Sequence, residues 1–255
     1  ARRSGADLRF VPLRPPRFEL DEDELDAAMS ERTKLVVYNS PNNPSGRVLS
    51  EEELRAIARA CERHDAYLIA DEVYEHLVFD DHRHTSAFDI PELRERSVVI
   101  SSFSKSYLMT GWRVGWALGA PELVAAISRM HSLASFCLPN FLCEGARYAL
   151  EDLPASYMSE FIETHQRKRN AIVEGLAAVE IDVLAPEGTF FCSVPIGQFG
   201  ENDDVELCMR LPAEAGRPQS GEPSRARTAR PLPVRGCSRS GPWSQLQGLA
   251  PPTST

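Results

Sequence analysis

The stretch of this chain whose residue types could do chemistry is Ser102-Phe103-Ser104-Lys105, with Arg113 eight residues after the lysine in Met109-Thr110-Gly111-Trp112-Arg113-Val114-Gly115. A lysine amine forms a Schiff base with an aldehyde only as the neutral amine, so it needs a partly desolvated site that lowers its basicity. The run from Ser97 to Ser102 supplies such a site: Val98, Val99 and Ile100 read as a buried strand that delivers Lys105 just past its end. Arg113 offers a planar fork suited to phosphate, and Ser102 and Ser104 add hydroxyl donors. A ligand with both an aldehyde and a phosphate is pyridoxal 5′-phosphate. Taken alone, a lysine after a strand is usually a surface cation. Two further segments change that weighing.

Asp71 closes the apolar run Tyr67-Leu68-Ile69-Ala70. A carboxylate there is either paired or exposed at the sheet edge, because an isolated buried charge is costly. In a pyridoxal site it would bind the protonated ring nitrogen and keep the ring electron-poor, which makes the ring a sink for a carbanion at a substrate α-carbon. Tyr74 lies three residues on and would point away from Asp71 in a straight strand. Both serve one ring only if the strand ends or bends near Glu72; Tyr74 then reaches the ring's phenolic oxygen. A partly buried aromatic with a satisfied hydroxyl is the plainer alternative. Asn43, in the turn Asn39-Ser40-Pro41-Asn42-Asn43-Pro44-Ser45-Gly46, could donate to the ring oxygen or to a substrate carboxylate, although Asn-Pro is also good turn chemistry. Asn43, Asp71 and Lys105 each follow a predicted parallel strand, and ligands of open α/β sheets bind outside the carboxyl ends of the strands.

The elements that must position them are legible in order. Lys34 to Tyr38 reads as a buried strand, and Ser50-Glu51-Glu52-Glu53 has capping-box spacing ahead of Leu54, Ile57, Ala58 and Cys61 at helical period. Strands follow at Tyr67 to Ala70, Ser97 to Ser102 and Val114 to Gly119, and Pro121 opens a helix. This alternation predicts an α/β fold with a mostly parallel sheet and helices on both faces. A long charged helix over 156–179 leads to strands at Ile181 to Leu184 and Gly188 to Val194, the beginning of a small α+β unit. The predicted organisation is a partial large domain over 1–155 and a connecting helix with a partial small domain over 156–211. From Pro212 periodicity disappears, and eight prolines fall among the last 44 residues. Disorder is expected there, with a slip of reading frame near Leu211 favoured over a natural tail.

Composition bounds the class. The 255 residues hold 28 basic against 37 acidic side chains, net −9, and six arginines sit in the tail against only Glu214 and Glu222. An acidic body argues against nucleic acid as a partner. The six cysteines form no Cys-x-x-Cys pair and suit reduced thiols in a cytosol. No apolar run approaches the roughly 20 residues that span a bilayer. No signal peptide is visible, and a chain opening Ala1-Arg2-Arg3 is expected to start at an internal position of a longer product. His82 and His84 flank Arg83 in an acidic loop, where a solvated loop outweighs a metal site. Neither a Gly-x-Ser-x-Gly elbow nor a Gly-x-Gly-x-x-Gly turn is present.

Together the Asn39 to Gly46 turn, Asp71-Glu72-Val73-Tyr74, the segment from Ser102 to Gly115, and Pro186-Glu187-Gly188-Thr189-Phe190-Phe191 resemble the class I/II pyridoxal-phosphate aminotransferases of fold type I. The likeness spans about residues 6–211. It implies Lys105 as the cofactor-bonding lysine and proton shuttle, Asp71 at the ring nitrogen, Tyr74 and Asn43 at the ring oxygen, and Ser102 and Arg113 at the phosphate, with no metal. It also implies an L-amino acid donor, a 2-oxo acid acceptor, a ping-pong cycle, a homodimer and a cytoplasmic enzyme. The wording around Asp71 to His84 and Met109 to Trp116 is most similar to the branch that handles methionine, aromatic amino acids, kynurenine or glutamine. Two parts of the family pattern have no counterpart in this chain: an upstream segment with a phosphate-binding helix N-terminus and a ring-stacking aromatic, and a late arginine for the substrate carboxylate. Their lack predicts weak or absent turnover. A C–S β-lyase on the same fold and a non-catalytic fragment that keeps the cofactor fold are the alternatives.

Overall fold

The computed structural model of the chain describes residues 5–215 and 243–247. Two compact units divide it: residues up to Asn43 with Arg47–Thr164 and Glu187–Thr189, and Pro44–Gly46 with His165–Pro186 and the described residues from Phe190 on.

In the first unit the elements run α1 (Glu22–Ala28), β1 (Leu35–Asn39), α2 (Glu51–Arg63), β2 (Tyr67–Asp71), β3 (Ser97–Ser102), α3 (Phe103–Ser106), β4 (Gly115–Gly119), α4 (Pro121–Ala134) and α5 (Asn140–Glu151). The sheet order is β1-β2-β3-β4. The first three strands are parallel and β4 returns antiparallel to β3. A mostly parallel α/β sheet is thus present as the sequence predicts. The register aligns Asn39 with Asp71, the last residues of β1 and β2, and sets Ser102 opposite Gly115. A Cβ on Gly115 would stand 2.6 Å from the Ser101 carbonyl oxygen, so this pairing needs glycine.

Helix α2 forms where the capping box predicts. The Ser50 hydroxyl accepts the Glu53 N–H at 3.2 Å, and the Glu53 carboxylate accepts the Ser50 N–H at 2.7 Å. Its apolar face, Leu54, Ile57, Ala58 and Cys61, is buried with Leu68 and Ala70 of β2 and Val99 of β3. Each large aliphatic side chain so buried contributes about 1.5–3 kcal/mol. A smaller cluster of Phe103, Val114, Ala146 and Ala149 holds the short helix that carries the lysine. Phe103 meets Trp116 edge-on and Tyr107 at a tilt, both at 5.1 Å, and the Tyr157 hydroxyl donates to the Ser106 carbonyl at 3.0 Å.

Helix α6 (Tyr157–Ala177) begins in the first unit and ends in the second, which also holds β5 (Phe191–Pro195), α7 (Asp204–Ala215) and β6 (Trp243–Gln247), with β6 antiparallel to β5. The strand expected at Ile181 to Leu184 is not formed; only Leu184 makes an isolated bridge, to Ser193. The Ile181 N–H bonds back to Leu176, and the Gln198 carboxamide takes both backbone groups of Asp182, so these groups are not offered to a neighbouring strand. The strand expected from Gly188 starts only at Phe191. Thr189 is left-handed at φ 73° and its N–H bonds to Leu77, while Gly188 bridges Val78. Helix α7 runs four residues past Leu211, where a slip of frame is expected. The disorder expected from Pro212 on falls, apart from 212–215 and 243–247, outside the described residues, and so do all six tail arginines. Among the described residues no helix is long and apolar enough to cross a membrane, and no cluster of His, Cys, Asp or Glu could hold a metal ion.

Candidate active site

Parallel strands send their carboxyl ends to one edge of a sheet, and here β1, β2 and β3 end side by side at Asn39, Asp71 and Ser102. Asn39 links the first two ends. Its Nδ2 donates to the Asp71 carbonyl at 2.9 Å, and its Oδ1 accepts the Asn43 N–H at 2.6 Å. The side chain of Asn43 is exposed above this turn. The rest of the loop is anchored by Arg47, whose guanidinium bridges Glu53 and Glu187, each at 3.0 Å, while the Val48 N–H donates to Glu187 at 2.7 Å.

Strand β2 stops at Asp71, and residues 72–77 form turns closed by Glu75 N–H to Glu72 O and Leu77 N–H to Tyr74 O, both 2.8 Å. This is the bend that Asp71 and Tyr74 require if they are to face the same place. Tyr74 is buried, and its ring lies with its centroid 5.3 Å from Lys105 Nζ, within cation–π range. Burial, with the Asp71 charge adding, pushes the Tyr74 phenol up to about 12. It therefore stays protonated and able to donate.

Asp71 is half-buried, and that burial raises its carboxyl above the usual range. The Val73 N–H, 3.3 Å from Oδ1, opposes this; the Glu72 charge reinforces it, and Lys105 opposes it. Lys105 is half-buried on α3. Burial lowers its basicity first, the Arg113 charge lowers it further, and Asp71 pulls the other way. Those causes match what a lysine must have to act as a nucleophile at neutral pH.

Ser102 caps the lysine helix, its hydroxyl accepting the Ser104 N–H at 3.2 Å. Arg113 is exposed and left-handed at φ 60°, and its Nη1 donates to the Thr110 carbonyl at 3.0 Å. Of the six residues singled out in the sequence, Asp71, Tyr74 and Lys105 are brought together, and Arg113 is close enough to bias Lys105. Asn43 joins them through Asn39, and Ser102 holds the helix.

Sequence reasoning missed three contributors, Asn39, Glu187 and Glu72. Asn39 sat in plain view as the last strand residue of the Asn-Pro turn. His84 needs a correction. It is not in a solvated loop: its side chain is 9% exposed, and Nε2 lies 3.0 Å from the fully buried Glu72. The acidic residues around it in sequence hid a partner twelve positions earlier.

Comparison with known proteins gives the family. The family pattern described as aminotransferase class I and II matches residues 1–211. The methionine aminotransferase of Escherichia coli strain K12 is 36% identical over 217 residues, covering 84% of this chain and 55% of that protein. Kynurenine–oxoglutarate transaminase 1 of Homo sapiens is 35% identical over 213 residues, 77% of this chain and 50% of that one. A solved Escherichia coli structure with methionine aminotransferase function superposes with a TM-score of 0.78 at 33% identity, covering 92% of this chain and 59% of that one. N-succinyldiaminopimelate aminotransferase of Mycobacterium tuberculosis gives a TM-score of 0.75 at 33% identity, over 80% of this chain and 53% of its own. The chain spans about half the length of the curated relatives it matches. With the lysine, aspartate and tyrosine gathered at the strand ends, and a family match that covers most of its length, this chain belongs to the class I and II aminotransferases.

Proposed function

We propose that this chain holds pyridoxal 5′-phosphate and serves the transfer of an amino group from an L-amino acid to a 2-oxo acid. The observation that carries the reading is Lys105, a lysine made less basic by burial and by Arg113, facing a buried Tyr74 and coupled to Asp71. The donor set fits the cofactor: an amine for the aldehyde, a carboxylate for the ring nitrogen, hydroxyl and amide donors for the ring oxygen, and a guanidinium for the phosphate.

Lys105 would hold the cofactor at its aldehyde carbon, Asp71 at the ring nitrogen, Tyr74 and Asn43 at the ring oxygen, and Ser102 and Arg113 at the phosphate. Bound there, pyridoxal phosphate supplies an electron sink for a carbanion at the α-carbon of the amino acid. Asp71 keeps a proton on the ring nitrogen by presenting a negative charge to it. Tyr74, with its hydroxyl pushed up to about 12, remains a donor throughout. With the cofactor held there, Lys105 Nζ as a neutral amine would be the group that accepts the α-carbon proton of the amino acid, which an ammonium could not do. The hydrophobic shell of Phe103, Val114 and Tyr107 keeps water from the helix that carries it.

The relatives' names support methionine and kynurenine as amino donors to try first. A homodimer and a cytoplasmic location follow from the same family reading. The test is product analysis after incubation with pyridoxal phosphate, methionine and a 2-oxo acid. The expected product is the 2-oxo acid that retains the sulfur side chain. With a cysteine S-conjugate in place of methionine, ammonia and a free thiol would instead assign β-elimination.

A further inference from the structure

Among the residues singled out in the sequence, only Arg113 has a left-handed backbone, at φ 60°. A residue with a Cβ holds that conformation at a cost that its surroundings must offset. Its own bond, from Nη1 to the Thr110 carbonyl at 3.0 Å, stays inside the turn Thr110–Trp112 that precedes it and ties that turn to nothing else. The anchors are its neighbours in the chain. On one side the turn is fastened to the lysine helix: the Thr110 hydroxyl donates to the Ser104 carbonyl at 2.6 Å, and the Met109 N–H to the Phe103 carbonyl at 3.1 Å. On the other, both residues that flank Arg113 rest on α5. Val114 is buried in one cluster with Ala146 and Ala149, and the Trp112 indole lies against Gly145.

That second contact leaves no room for a side chain. A Cβ on Gly145 would run into Cζ3 of the indole and stand 2.8 Å from Cη2, closer than real Cβ contacts come. Glycine inside a helix costs stability relative to alanine, because it loses more backbone freedom and packs no side chain. In α5 it leaves a notch, and the outer edge of Trp112 fills it. Trp112 is 41% exposed, so α5 holds one edge of the ring and solvent meets the rest.

We propose that Gly145 and Trp112 form a seat that positions Arg113: together with Val114 on the same helix, it holds the left-handed turn so that the guanidinium is presented to the phosphate of pyridoxal phosphate. This deepens the reading of Arg113 as the phosphate partner and rests on it. Both residues act through Arg113, so the seat governs how strongly the site prefers pyridoxal phosphate to pyridoxal, which lacks the phosphate.

The test is that preference, the ratio of the dissociation constants of pyridoxal and pyridoxal phosphate, measured by absorbance titration of the full chain with Lys105→Ala as the blank. Arg113→Gln is expected to lower the ratio about tenfold or more, through loss of a charge-assisted bond. Gly145→Ala, which displaces the indole from the notch, is expected to weaken that bond in part and lower the ratio about threefold or more. It should add nothing in a Trp112→Phe background, where the ring atoms that meet the new Cβ are gone. A glycine that served packing alone would change the melting temperature, or both affinities together, and leave the ratio where it was. An unchanged ratio in Gly145→Ala, or an equal fall in both backgrounds, overturns the proposal. If Gly145→Ala does not fold, Trp112→Ala decides: a lower ratio is expected, and an unchanged one overturns the seat. An unchanged ratio in Arg113→Gln, or no binding to the wild-type chain, overturns the phosphate reading and the seat with it, whereas a response to Arg113→Gln alone overturns only the seat.

Discussion

Lys105 sits between opposing charges, and this makes its reactivity adjustable in both directions. Burial and Arg113 lower its affinity for a proton, while Asp71 raises it. Removing Arg113 by Arg113→Gln takes away a repelling positive charge, so Lys105 holds its proton more tightly and its capture of an aldehyde shifts to higher pH. Asp71→Asn takes away the attracting charge and shifts capture to lower pH. The wild-type midpoint should lie below the ordinary lysine value of 10.5. A pH titration of aldehyde capture, read for the wild type and both variants, checks the signs; shifts in the same direction would show that Lys105 does not feel these two neighbours as described. Asn43, Asp71 and Lys105 were legible because each follows a run of β-branched or apolar residues that reads as a strand, although the burial expected of the first strand is not found: Leu35 and Val37 of β1 and Tyr67 of β2 are exposed, and only β3 is mostly buried. Glu72 and His84 were not legible: twelve residues and a polar loop separate them, and nothing local in either segment announces a buried pair.

At the scale of elements, α2 and the loop before it determine where the strand ends stand. The capping box at Ser50 and the apolar face from Leu54 to Cys61 were both readable, because N-cap chemistry and helical period are local properties. Leu54 is 1% exposed in the core between α2 and the sheet. Leu54→Ala is expected to cost about 2–5 kcal/mol, the range for a buried leucine that leaves a cavity, and Ser50→Ala about 1 kcal/mol for the lost cap. Denaturant unfolding monitored by circular dichroism measures both. A Leu54 cost no larger than the Ser50 cost would contradict the packing described. Local rules failed at Ile181 to Leu184, whose alternation resembles a strand. There a side-chain amide from Gln198, sixteen residues on, occupies the backbone groups that pairing needs, a tertiary event invisible to periodicity. The antiparallel direction of β4 was likewise undetermined by its sequence, since strand length and hydropathy do not encode orientation.

For the whole molecule, the order strand, helix, strand is what made the fold class readable, and the four ordered motifs, three of them at strand ends, are what made the family readable. Dimensions of the second unit were less legible, because its strands are short and its residues alternate weakly. Several large apolar side chains of the first unit are exposed, among them Met130, Leu133, Phe136 and Phe141. Exposed apolar side chains favour association, in keeping with the homodimer proposed above. The central claim remains that one lysine, supported by an aspartate and a tyrosine from the neighbouring strand end, holds pyridoxal phosphate. The most direct measurement is the absorbance spectrum of the purified chain with pyridoxal phosphate, beside Lys105→Ala, followed by addition of methionine. The account predicts a band that requires Lys105 and shifts when the amino acid arrives. No band, or an identical band in Lys105→Ala, would contradict it.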